Sequence, residues 1–123
     1  AADKEWDLIV LPGGMPGAEH LRDNKVLQEL LIKQQSADKL YGAVCAAPAV
    51  ALSGFIDQGE ATCYPAPDFR KKLKNVSEAK VVVSGNVVTS QGPGTSLLFA
   101  LQLGEELFGK EARDTIAKAM LVE

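Results

Sequence analysis

Residues Leu40–Leu52 read LYGAVCAAPAVAL, and the rest of the chain is arranged around this stretch. Its first half, Leu40 to Val44, is apolar and ends β-branched, the composition of a strand buried in a sheet. Cys45 stands where the pattern changes. Ala46, Ala47, Pro48 and Ala49 follow, small residues with a proline in the first helical turn, where its missing N–H does no harm. One cysteine therefore sits at a strand-to-helix junction. That placement is like a hydrolase nucleophile elbow with Cys in place of Ser. Free N–H groups at the start of a helix would favour a thiolate. A small buried cysteine filling core space is the plainer alternative.

Working outward, Trp6–Leu11 (WDLIVL) is a continuous apolar run. It reads as a strand buried on both faces of a parallel sheet. It leads into Pro12-Gly13-Gly14, where glycines would let backbone N–H groups come close to a ligand, or simply make a turn. Both strands should end on the same side, where sites form in open α/β sheets. Between them, residues 24–35 place Val26, Leu27, Leu30 and Leu31 at helical spacing, with Asp23 as the expected N-cap. His20 falls in the preceding loop or first turn and reads as a surface residue.

After Cys45 a helix is expected to run to about Ser53-Gly54. Residues 59–64 (GEATCY) read as a strand that brings Cys63 and Tyr64 near its end, and 67–73 as a short charged helix. Residues 80–83 and 87–90 flank a Ser84-Gly85-Asn86 turn, a hairpin. Gln91-Gly92-Pro93-Gly94-Thr95 is then a rigid loop before the apolar helix Leu97–Phe108, which Thr95 or Ser96 would cap and Gly109 would stop. A last helix covers 110–120. The order predicts an α/β three-layer sandwich with a mostly parallel sheet.

The 123 residues suffice for a single domain with one core. A net charge of -3 supplies no basic field for nucleic acid, and no apolar run reaches membrane-spanning length. Two cysteines in a core-rich chain suggest a reduced, cytoplasmic setting. One histidine leaves too few ligands for a His/Cys zinc cluster, so no metal of that kind is expected.

Three segments together, DLIVLPGG (7–14), GAVCAAPAVAL (42–52) and TSQGPGTSLLFAL (89–101), resemble the DJ-1/ThiJ/PfpI superfamily, nearest its DJ-1-like deglycase branch. The resemblance implies a flavodoxin-like fold, related to the class I glutamine amidotransferases, and a homodimer. It implies that Cys45 is the reactive cysteine and that the Gly14 and Ala46 N–H groups stabilise an oxyanion or an oxidised sulfur. Gly13 and Tyr64 would belong to the pocket, and Gly92, Pro93 and Gly94 to a loop that closes the pocket of a second subunit. The family domain also has an earlier strand, helix and strand carrying a glutamate that hydrogen-bonds the cysteine. Residues 1–123 would then be the C-terminal two-thirds of the domain, N-terminally truncated. The chain is expected not to fold alone but with that segment bound as a separate piece. Tyr64 replaces the histidine of many members, and Ala46 replaces the histidine of the peptidase-like branch, which argues against proteolysis. The function implied is a cofactor-independent glyoxalase or protein deglycase acting on methylglyoxal-type aldehydes or glycated protein. The alternative is an oxidative-stress sensor or chaperone-like protein in which Cys45 is oxidised to sulfinate.

Overall fold

The computed structural model describes residues 4–56 and 59–122. A four-stranded sheet runs in the order β1 (Leu8–Leu11), β2 (Leu40–Val44), β6 (Val87–Ser90), β5 (Val81–Ser84). β1, β2 and β6 are parallel, and β5 returns antiparallel to β6 through the expected hairpin. The pairing sets Val10 against Gly42 and Val44 against Ser90, so β2 is the central strand leading to Cys45.

Alternation along these strands divides the core between two faces. Ile9, Leu11, Tyr41, Ala43 and Val87 point to the side covered by α1 (Gly17–Asp23), α2 (Lys25–Ser36) and α3 (Ala47–Val50). Leu8, Val44, Val81 and Val88 point to the other side, where Phe99 and Leu103 of α5 (Ser96–Phe108) meet them. An added Cβ at Gly42 would lie 2.6 Å from the Val88 carbonyl oxygen and 3.3 Å from the Phe99 ring, so that strand position has no room for a side chain. α6 (Lys110–Ala119) packs on α5. These are three layers around a mostly parallel sheet, the expected α/β sandwich.

Several expectations are corrected. β1 is shorter than the apolar run and is not buried on both faces: it is the edge strand, and Val10 is 39% exposed. The cap of α2 is Asn24, whose side chain accepts from the Leu27 N–H at 2.9 Å; Asp23 instead pairs with Arg22. His20 lies within α1 rather than before it. The helix after Cys45 closes after only four residues and continues as turns. The 59–64 strand shrinks to β3 (Glu60–Ala61), which pairs in parallel with β4 (Asn75–Val76) in a separate two-stranded sheet that the periodicity did not reveal. α4 covers Pro67–Arg70. No helix among the described residues is long and apolar enough to cross a membrane.

Candidate active site around Cys45

Cys45 is the residue immediately beyond β2, and its φ is +65°. A non-glycine residue in the left-handed region costs on the order of 1–3 kcal/mol and persists only where its surroundings hold it. Two backbone hydrogen bonds do so here. The Cys45 N–H donates to the Ser90 carbonyl at 3.1 Å, continuing the β2–β6 ladder, and the Tyr64 N–H donates to the Cys45 carbonyl at 2.7 Å. The strand end is thus clamped on both sides, and the side chain of Cys45 is turned out at the top of the sheet.

Gly13 explains what the glycine pair is for. A Cβ there would lie 2.5 Å from the Cys45 Cβ and 2.8 Å from the Val44 carbonyl oxygen. Only a residue without a side chain lets the loop after β1 lie against the elbow. Gly14 follows at φ +92°, a conformation that favours glycine, and faces open space. Its carbonyl accepts from the Ala18 N–H to start α1. Neither the Gly14 nor the Ala46 N–H donates to another group among the described residues.

Gly13, Gly14, Val44, Cys45, Gly92, Pro93 and Ser96 line one cavity of about 400 Å³. The lining brings together most of the residues singled out from sequence and omits Ala46, Tyr64 and Gly94. Tyr64 stands beside it: its ring leans on Gly92 and meets Phe69 edge-on, with centroids 6.3 Å apart. Apart from Cys45, the one polar side chain in the lining is Ser96, which sequence reading had considered only as a helix cap. Thr95 stands at the N-cap position of α5, as expected, but its side chain makes no capping hydrogen bond. Thr95 uses its hydroxyl on Gly92 and Ser90, and Ser96 Oγ donates to the Gly92 carbonyl at 3.1 Å. Gly92 and Pro93 form a wall of the cavity in their own chain, where the resemblance has this loop closing a second subunit's pocket.

The two cysteines differ in kind. Cys45 is half-buried and faces the cavity, whereas Cys63 is 1% exposed and its Sγ donates to the Tyr64 carbonyl at 3.4 Å. Burial pushes the Cys63 thiol pKa up, Arg70 draws it down, and Cys45 adds to the rise. The expectation that a helix dipole activates Cys45 has less behind it than the sequence suggested, since four residues of α3 sum to a small dipole. What remains is the pair of N–H groups and the exposed position. No group of three or more metal-ligating side chains occurs among the described residues.

Known proteins resemble this chain in sequence and in fold. The model of the DJ-1/PfpI family matches residues 1–106. "Protein DJ-1 homolog A" of Arabidopsis thaliana is 43% identical over 98% of this chain, which spans 32% of that protein. "Glutathione-independent glyoxalase DJR-1.2" of Caenorhabditis elegans is 38% identical over 96% of the chain, which spans 64% of it. Among solved structures, "Toxoplasma gondii DJ-1, oxidized" superimposes with a TM-score of 0.92 at 38% identity, covering 98% of this chain and 67% of that one. The chain thus spans less than two-thirds of these two curated relatives.

Proposed function

From the premise that this chain belongs to the DJ-1/PfpI family, we propose that it is the cysteine-bearing part of a cofactor-independent glyoxalase or protein deglycase. The observation that carries this reading is Cys45 itself, held at φ +65° in the lining of an apolar cavity. Gly14 shares that lining and Ala46 is next in the chain, and their N–H groups have no acceptors among the described residues. The Caenorhabditis relative named as a glutathione-independent glyoxalase supports the choice of chemistry.

In this mechanism the Cys45 thiolate attacks the aldehyde carbon of methylglyoxal, forming a C–S bond as the carbonyl π pair moves to oxygen. The Gly14 and Ala46 N–H groups hold that oxyanion, which is protonated to a hemithioacetal. A base removes the proton from the former aldehyde carbon, an enediol forms, and the proton returns to the adjacent carbon to leave a thioester. Water cleaves the thioester to lactate and restores the thiolate. The cavity lining holds no carboxylate or imidazole, so the base comes from elsewhere. We assign it to the glutamate that the resemblance places on a preceding segment, with the chain acting as the C-terminal two-thirds of a single domain in a homodimer. A glycated amine enters the same scheme when the Cys45 thiolate displaces the protonated amine from the carbinolamine carbon: the C–N bond breaks, the free amine leaves, and the same hemithioacetal is formed.

Addition is tested on the chain itself: methylglyoxal should protect Cys45 from iodoacetamide, reversibly on dilution. Turnover is tested with the preceding segment joined, as lactate formed without glutathione. Lactate formation that survives Cys45→Ser overturns the reading.

A redox reading has one observation in its favour, the similarity to the oxidised DJ-1 of Toxoplasma gondii. Here peroxide converts Cys45 to sulfinate, held by the same N–H groups. Peroxide-treated protein that keeps full aldehyde reactivity at Cys45 contradicts it.

A further inference from the structure

Behind the cavity wall lies a chain of buried hydroxyls that the proposed chemistry does not use. The Gly92 N–H donates to Thr95 Oγ1 at 3.1 Å, Thr95 Oγ1 lies 2.6 Å from Ser90 Oγ, and Ser90 Oγ donates to the Lys80 carbonyl at 2.7 Å. Thr95 Oγ1 also reaches the Gly92 carbonyl as a donor at 3.0 Å, and either hydroxyl can be the donor between Thr95 and Ser90. Ser90 is fully buried and Thr95 is 9% exposed. The same Ser90 accepts the Cys45 N–H through its backbone carbonyl. One residue therefore holds the reactive cysteine by its main chain and the facing wall, Gly92–Pro93, by its side chain.

We propose that Ser90 and Thr95 are positioning residues that fix the width of the Cys45 cavity and so set the size of carbonyl substrate it admits. Beside Cys45 and Ser96 the cavity walls are glycine, proline and valine, with no long side chain to adjust to a ligand. Its width then depends on where the 91–95 loop stands. That loop is tied to β6 through the Thr95 hydroxyl, and removing the hydroxyl leaves a buried N–H and a buried Oγ short of a partner, which the loop relieves by moving toward water. A small dicarbonyl fits the wall as it stands, and a branched or aromatic one requires it to yield.

The inference rests on reading Cys45 as the reacting group. It is tested by alkylation, which reports the wall even if methylglyoxal is not turned over, so the two readings fail separately. The rates at which iodoacetamide and N-phenylmaleimide label Cys45, identified by peptide mass, are compared for wild type, Thr95→Val, Ser90→Ala and Thr95→Ser. Changed thiolate chemistry moves both rates together, whereas a displaced wall moves their ratio. The bulky-to-small ratio should rise about threefold to tenfold in Thr95→Val and Ser90→Ala, as expected for loss of one buried hydrogen bond, and return to the wild-type value in Thr95→Ser. Should Thr95→Val fail to give a cooperative melt, Ser90→Ala against Thr95→Ser decides. A ratio unchanged in the folded variants, or Thr95→Ser shifted as far as Thr95→Val, overturns the proposal.

Discussion

The contrast between the two thiols is the sharpest consequence at the level of single residues. Cys45 faces the cavity, while Cys63 lies in the core with its hydrogen committed to a carbonyl. At neutral pH iodoacetamide should modify Cys45 at least about tenfold faster than Cys63, which must wait for local opening. Peptide mapping after partial labelling checks this, and equal rates would contradict it. The raised Cys63 pKa also has a sign in stability. The native state holds the thiol proton more tightly than the unfolded chain does, so unfolding becomes easier as pH rises through the ordinary thiol value of about 8.5 toward the raised one. A Cys63→Ala variant should show a flatter melting temperature between neutral and alkaline pH than wild type. Gly13→Ala forces a methyl group to within 2.5 Å of the Cys45 Cβ, against backbone that cannot retreat. Overpacking of this kind costs roughly 1–3 kcal/mol. Its expected signature is a lower melting temperature together with loss of the rate advantage of Cys45, measured in the same labelling assay.

At the scale of elements, the α2 cap separates what the residues signal from what the fold selects. Asp23 and Asn24 are both capping types in adjacent positions, and only packing decides between them. Asn24 takes the position because its backbone is extended, as an N-cap requires, whereas Asp23 is the last residue of α1. Asn24→Ala should therefore cost about 1 kcal/mol. Asp23→Ala should lower the melting temperature by less, and thermal unfolding of the two variants distinguishes them. The long periodic elements, α2 and α5, and the β5–β6 hairpin were legible because their signals are local: helical spacing, a stopping Gly109 and the Gly85-Asn86 turn. β3 and β4 were not, because two-residue strands have no period to detect and pair across a dozen residues. The site divides the same way. Cys45 and Gly13 could be found from sequence since a junction and a glycine pair mark them. Ser90, Thr95 and Ser96 are ordinary hydroxyl residues whose roles arise only when β6 and α5 bring them under the 91–95 loop.

Across the whole molecule, the two edges of the sheet differ: β3 lies against β5, whereas no described strand lies outside β1. β5 bounds one side, where the hairpin folds it back, while β1 bounds the other with its outer backbone groups unpaired among the described residues. On the α5 side of the sheet Leu8 joins the core, but Val10, two residues on and on the same face, is 39% exposed, and Trp6 just before the strand is 37% exposed. α5 lies over β6 and β5 and leaves that corner uncovered. A flat apolar edge of this kind is a template for strand addition, and natural proteins blunt such edges with charge. We therefore expect residues 1–123, expressed alone, to self-associate through β1. Val10→Lys places a charge on the exposed face without removing a side chain from either core cluster. It should shift sedimentation toward a single monomeric species and leave the melting transition nearly where it was. A charge on the far side, Val83→Lys on the β5 edge, is the control, because Val83 is comparably exposed at 41% but lies on the edge strand against which β3 packs. Association suppressed equally by both substitutions would point to general surface hydrophobicity. Association untouched by Val10→Lys would show that the β1 edge is not where copies meet. Either result would remove the reason for expecting a further strand to dock there.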